Sequence, residues 1–193
     1  MRKAILLAAL GVALAGASAA GAAAPTFSKA EGAGSFGPGC ETVPPLDFPG
    51  QPICFPFGHT FEFSAVDRGP FHANGFYAQT VTGRPPGFRG DVTCLNVIGN
   101  TGVVGGVLTE PAAAAGIPFV AYMVDNGPNN GTTPPDLISP LGIFPEGDVD
   151  LAFLPQGFPH VCPPPEPSIY GYFPVDQGDV VVQEGTIAFP HLP

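Results

Sequence analysis

The side chains of this chain that could do chemistry are its cysteines, its histidines and a few clustered acids. The four cysteines are Cys40, Cys54, Cys94 and Cys162. They contain no Cys-x-x-Cys pair, and no histidine stands at zinc-ligand spacing from them, so structural disulfides are favoured over a zinc site. Three pairings are possible. The short separation of Cys40 and Cys54 and their Pro/Gly flanks favour that pair, which leaves Cys94–Cys162.

The four histidines are scattered, at His59, His72, His160 and His191. No His-x-x-x-His pair occurs, so spacing along the chain predicts no metal site. Structural or surface positions are the ordinary interpretation. A site built from distant residues such as His59, His72 and Asp125 would escape this reasoning, because sequence spacing does not report proximity across strands. The sequence therefore assigns no catalytic, cofactor-binding or metal-binding residue.

Acids alternate at Glu146, Asp148 and Asp150. Clustered carboxylates can bind Ca²⁺, but the glycine and terminal glutamate of an EF-hand loop are missing. Alternation into a strand would instead place all three on the solvated face. We therefore predict that no metal is bound there. The Asp125-Asn126-Gly127 run also has an ordinary structural interpretation, because Asn-Gly is a standard turn pair. It predicts a turn at the end of a strand.

Signatures of enzymes are missing from the sequence. There is no nucleophile elbow, no S-x-x-K pair, no P-loop and no dinucleotide-binding glycine motif. The chain has no Trp, and its densest aromatic run, at residues 170–173, is expected to pack against a Pro-rich loop. We predict no cofactor and lean towards a protein without catalysis.

The elements that position these residues are strands. Residues 60–66 alternate apolar and other side chains with a period of two, which predicts a strand with one buried face. Residues 75–82 hold aromatic and β-branched side chains between turn signals, and residues 119–125 set one row of side chains against another, so both are also predicted to be strands. Residues 88–98 and 101–108 are β-rich and joined by Gly-Asn, which predicts a two-residue hairpin. The helical candidate is residues 111–116, with one or two turns at most. The pattern predicts an all-β, antiparallel sandwich or barrel of seven to nine short strands.

The first residues have the order of a secretory signal peptide. Arg2 and Lys3 precede an apolar run, and Ala17-Ser18-Ala19 supplies a cleavage site. We therefore expect a signal peptide at residues 1–19, a flexible mature N-terminus at 20–39 and a single disulfide-stapled β domain at 40–193. The apolar run is too short to span a bilayer, so the mature protein is expected to be secreted, with no membrane span.

Composition limits the partners. Without the leader, four basic residues face 16 acidic ones, a formal net charge of −12. So acidic a chain has no electrostatic footprint for nucleic acid or anionic lipid, and a soluble monomer is expected. The 27 Gly and 26 Pro fit a fold of short strands separated by tight turns.

Three phrases of the sequence carry a resemblance. Residues 88–100 read FRGDVTCLNVIGN, residues 103–106 read VVGG, and residues 124–127 read VDNG, followed by Pro135-Asp136. Across residues 58–189 the chain resembles uncharacterised small secreted proteins of actinobacteria with an all-β domain. The resemblance implies secretion and β structure. It implies no activity and no catalytic residue.

Two functional hypotheses follow. The first is a secreted domain without catalysis that binds an extracellular or cell-surface component or has a structural role. The second is a β-barrel that carries a small ligand, or a barrel enzyme, with a Phe- and Tyr-lined lumen. An open lumen would favour the second hypothesis, and a filled interior the first.

Overall fold

The computed structural model describes residues 27–42, 52–69, 72–128, 131–144, 158–165 and 171–186. These residues form eleven strands and one short 3₁₀ turn, Ala112–Ala114. The strands are β1 Lys29–Phe36, β2 Gly39–Thr42, β3 Pro52–Phe55, β4 His59–Asp67, β5 Ala73–Val81, β6 Arg84–Ile98, β7 Thr101–Glu110, β8 Pro118–Val124, β9 Leu137–Ile138, β10 Gly142–Ile143 and β11 Phe173–Gln183.

Eight of the strands close an antiparallel barrel. The order around the barrel is β8, β7, β6, β5, β4, β1, β11 and β9, and β9 pairs again with β8. β10 is a further strand paired with the start of β8, and β2 and β3 form a separate two-stranded sheet. Of the two predicted architectures, sandwich and barrel, the structure is therefore the barrel.

The predicted hairpin between β6 and β7 is confirmed. Ile98 pairs with Thr101, and Gly99 and Asn100 form the two-residue turn. Gly99 has a φ of 60°, a left-handed conformation that glycine adopts without strain. The predicted helix at 111–116 is reduced to the single 3₁₀ turn, which is consistent with the shortness of that alanine run.

The expectation of a flexible segment at residues 20–39 is wrong for its described part. Residues 29–36 form β1, which lies between β4 and β11 in the middle of the sheet. The domain therefore begins before residue 40. The glycine and alanine residues predict a linker, but in the barrel their small size leaves space for the aromatic rings of β4. A Cβ on Gly32 would lie 2.9 Å from the Phe63 ring, and a Cβ on Gly34 would lie 3.1 Å from the Phe61 ring.

Aromatic side chains fill the barrel interior as one continuous column. Adjacent ring centroids lie 5.7–6.2 Å apart, in the range of direct ring contact, along the series Phe173, Phe36, Phe61, Phe63, Tyr77 and Phe119. All six side chains are buried, and aliphatic residues such as Val104, Met123 and Val180 pack around them. The interior is thus a packed core.

A second, smaller core lies on the outer face of β6, β7 and β8. It contains Val103, Val120, Tyr122 and Phe144. The register of β6 shifts between Val92 and Cys94, so Val92 points into the barrel while Cys94 points outwards into the second core. The disulfide from Cys94 to Cys162, with Cα atoms 5.4 Å apart, fixes residues 158–165 over this face.

The close packing of β1 against its neighbouring strand β11 leads to a prediction about stability. We expect Gly34→Ala to lower the free energy of unfolding by about 1–3 kcal/mol, the usual cost of overpacking, because its Cβ would collide with the carbonyl oxygen of Gln177. Gly39→Ala is the matched control, since its Cβ would meet only the Phe173 ring, at an ordinary 3.9 Å. Urea unfolding measures both. Equal stability of the two variants would contradict this account of β1.

Candidate functional site

A chain of three polar side chains is buried inside the barrel. The hydroxyl of Tyr77 donates to Oε1 of Gln79 at 3.0 Å, and Nε2 of Gln79 lies 2.9 Å from Nδ1 of His59. The His59 ring stacks on Phe36 with a centroid distance of 4.8 Å. Alternation produces this arrangement, because His59 shares the inward face of β4 with Phe61, and Gln79 shares that of β5 with Tyr77.

Burial controls the electrostatics of this polar chain. It lowers the pKa of His59 below its usual value of 6.5, since a charged imidazole loses hydration there. Burial also raises the pKa of the Tyr77 hydroxyl strongly. With Gln79 Nε2 as the donor, Nδ1 of His59 is the acceptor, and the neutral ring carries its proton on Nε2.

The chemistry open to this arrangement is limited. Tyr77 is held in its neutral form, and its hydroxyl proton is directed to the amide of Gln79, which has no basicity for proton abstraction. General acid–base catalysis needs a group whose pKa lies near the working pH and which reaches a substrate. The polar chain is better explained as a satisfied hydrogen-bond network that fixes the packing of the column.

The three residues considered as a possible distant site are not brought together. His59 begins β4, whereas His72 lies in the turn after β4, a strand length away at roughly 3.3 Å per residue. His72 is exposed, and its backbone carbonyl accepts bonds from Arg68 and Asn74. Asp125 follows β8, and its carboxylate accepts a hydrogen bond from β11.

Asp136 links the segment after β8 to β11. Its backbone carbonyl accepts from the Val175 N–H at 2.8 Å. Its carboxylate accepts two further backbone N–H groups, Asn126 on Oδ1 and Val180 on Oδ2, each at 2.8 Å. The residue is fully buried. Asp136 therefore takes the place of a strand beside β11, where the two-residue β9 has already ended.

Asp125 makes a parallel link. Its Oδ1 accepts from the Gly127 N–H at 2.8 Å, which confirms the predicted turn. Its Oδ2 accepts from the Val182 N–H on β11 at 2.9 Å. We call Asp125, Asp136 and the two β11 amides of Val180 and Val182 the carboxylate seam. The two carboxylates accept β11 amides in place of the carbonyls of a paired strand. Carboxylate acceptors make stronger hydrogen bonds than neutral carbonyls do.

Sequence reasoning did not identify the carboxylate seam. The sequence predicts only a turn at Asp125 and no role for Asp136. The available signal was weak: an acid between Pro135 and the short apolar run Leu137–Ile138. An acid in that position is usually a solvated cap or turn, and only the fold shows that β11 passes beside it.

The cysteines follow the predicted pattern where the structure describes them. The Cys94–Cys162 pairing is confirmed, and it is buried, as is compatible with an extracellular protein. Cys54 is also disulfide-bonded. In the register of β2 and β3, Cys54 lies directly opposite Cys40, as the favoured pairing requires of the backbone.

Other candidates carry less information. The acids Glu146, Asp148 and Asp150 lie outside the described residues, as do His191 and Tyr170. Tyr172 donates from its hydroxyl to the Pro165 carbonyl and packs on the second core, as expected for packing against a Pro-rich loop. Within the described ranges, no three His, Cys, Asp or Glu side chains are placed to hold a metal ion.

Comparison with known proteins adds no assignment. No protein-family model matches the chain, and no curated protein or solved structure matches it. Among the described residues, no helix has the length and apolar character needed to cross a membrane.

The carboxylate seam generates a second prediction. Asp136→Ala removes two charge-assisted hydrogen bonds, each contributing about 1.5–3 kcal/mol, and leaves buried amides without acceptors. We expect a loss of at least about 3 kcal/mol in the free energy of unfolding. Asp91→Ala, an exposed acid on β6, is the control and should change stability little. A stable Asp136→Ala variant with normal protection of the Val180 amide would show that the seam is dispensable.

The third prediction concerns His59 and pH. Because the pKa of His59 is lowered on folding, the unfolded state binds more protons, so stability falls as pH falls below 6.5. The slope for one proton is at most about 1.4 kcal/mol per pH unit. Urea unfolding of wild type and His59→Gln across this range tests it. The variant should lose this part of the pH dependence; an unchanged profile would refute the assignment.

Proposed function

We propose that the protein is a secreted, monomeric β-barrel domain without catalysis, which acts through its outer surface in a binding or structural role outside the cell. The observation that carries the proposal is the filled interior. The aromatic column runs through the barrel from Phe173 to Phe119, and its members are in mutual contact. A carrier needs a concave, unfilled volume to bury its ligand.

The outer wall supports the same function. The outer face of β7, β8 and the end of β6 is covered by the segment that the Cys94–Cys162 disulfide holds in place, whereas β1, β4, β5 and the start of β6 present side chains outwards. One row across these strands is Ala33, Glu62, Ala78 and Arg89. Small and charged residues of this kind suit a hydrated recognition face. The net charge of −12 expected for the mature chain favours partners that are neutral or basic.

The second hypothesis, a small-ligand carrier or barrel enzyme, has one observation in its favour. The polar chain of His59, Gln79 and Tyr77 lies in an otherwise apolar interior, where specific ligand contacts are usually made. In the structure, however, these groups bond to one another. The interior must therefore repack before they could meet a ligand.

Probe binding separates the two functions. We expect mature wild type to show no fluorescence enhancement with anilinonaphthalene sulfonate and no co-purified small molecule by native mass spectrometry. Phe63→Ala is the positive control, because removing a ring that is 2 % exposed opens a cavity in the column. Phe63→Leu serves if the alanine variant fails to fold. A stoichiometric ligand in wild type would contradict the proposal.

Activity and secretion are tested on the same material. Panels of esterase, glycosidase, peptidase and peroxidase substrates should give no turnover above a buffer control. Turnover that disappears in His59→Ala would replace the proposal by the barrel-enzyme hypothesis.

Intact mass of protein recovered from the medium should correspond to a chain starting at Ala20, whereas the full 193-residue chain in the medium would contradict the predicted leader.

A further inference from the structure

The polar chain inside the barrel has a direction. The Tyr77 hydroxyl donates to Oε1 of Gln79 at 3.0 Å, and Nε2 of Gln79 lies 2.9 Å from Nδ1 of His59. Tyr77, Gln79 and His59 are only 1 %, 5 % and 6 % exposed, so bulk water does not replace a partner that one of them loses. This direction needs a lone pair on Nδ1, which a neutral ring protonated on Nε2 provides.

A proton on Nδ1 conflicts with this direction. A charged His59 donates from both ring nitrogens, so its Nδ1–H would face the N–H of Gln79, and two donors at 2.9 Å form no hydrogen bond. Half a turn of the Gln79 amide removes the conflict. Oε1 then accepts from His59, and Nε2 donates to the Tyr77 oxygen. The hydroxyl hydrogen of Tyr77 loses the acceptor that it has now.

We propose that Tyr77, Gln79 and His59 form a proton-operated switch, in which protonation of His59 turns the Gln79 amide and reverses both hydrogen bonds. The lost hydrogen bond falls on a residue in the middle of the aromatic column, since the Tyr77 ring contacts Phe63 and Phe119. A charge at the beginning of β4 thereby changes the interactions of a side chain at the centre of the barrel. This inference concerns the interior and does not depend on the proposed function.

The side chains around His59 leave this switch to the polar chain alone. On β1 the Phe36 ring stacks on His59, on β5 Val81 lies opposite it, and on β11 Val175 lies opposite Phe36. None of these is charged. The charged side chains at neighbouring positions of β4, β11 and β6 are exposed: Glu62, Asp176 and Arg84. Burial lowers the pKa of His59 with no contribution from a charged group.

Removing the Tyr77 hydroxyl tests the switch without altering the histidine. In Tyr77→Phe the turned amide leaves no hydroxyl hydrogen without an acceptor, so protonation of His59 costs less. We expect the midpoint of the His59 ring in an NMR titration to rise by about one pH unit relative to wild type. His72 and His160 are exposed and serve as references in the same spectra.

Tyr122→Phe is the matched control, because it removes the hydroxyl of another buried tyrosine, in the second core. It should leave the midpoint of His59 at the wild-type value. An unchanged midpoint in Tyr77→Phe would overturn the switch. Equal rises in the two variants would overturn it as well, since an effect of any lost tyrosine hydroxyl needs no hydrogen-bond chain.

The turn of the amide is measured directly in wild type. Nuclear Overhauser contacts of the Gln79 side-chain N–H groups should lead to the His59 ring at about pH 8 and to the Tyr77 ring at about pH 4. Contacts to His59 that persist through its titration would contradict the proposal. So would unfolding of the barrel before His59 titrates, because no folded state with a charged ring would then exist.

Discussion

Closure of the barrel depends on two aspartate side chains that accept hydrogen bonds from β11. A barrel has no edge only if every strand finds a neighbour on both sides. β9 is two residues long and supplies that neighbour for Phe173 and Pro174 alone. Beyond it, Asp136 and Asp125 accept the amides of Val180 and Val182. Without these acceptors, the backbone N–H groups of Val180 and Val182 would have no hydrogen-bond partner on this side of β11.

The aromatic column places its own demand on the sheet. Rings of Phe61 and Phe63 occupy the space above β1, so β1 can carry no side chain at Gly32 and Gly34. Close approach of β11 at the same place excludes a Cβ for a second reason. The large residues of β4 and the absent side chains of β1 are therefore one packing solution, and the glycine-rich segment is central to the fold.

The buried polar chain shows how an apolar barrel interior can contain His, Gln and Tyr side chains. Tyr77 donates to Gln79 and Gln79 lies within hydrogen-bond distance of His59, while burial favours the neutral forms of His59 and Tyr77. Such a network gives a core a unique arrangement that apolar contacts alone specify less sharply.

The sequence by itself determined the class of fold and the β6–β7 hairpin, because alternation and turn residues are local signals. It favoured the Cys94–Cys162 bond only as the pair that remains once the neighbouring Cys40 and Cys54 are joined. It could not decide between sandwich and barrel, since closure depends on which strands meet across the chain. Nor could it reveal β1, whose glycines resemble a linker until the rings of β4 are placed over them. Only the tertiary structure shows that Asp136 helps to close the barrel, because its carboxylate accepts a hydrogen bond from β11, a strand that is distant in sequence.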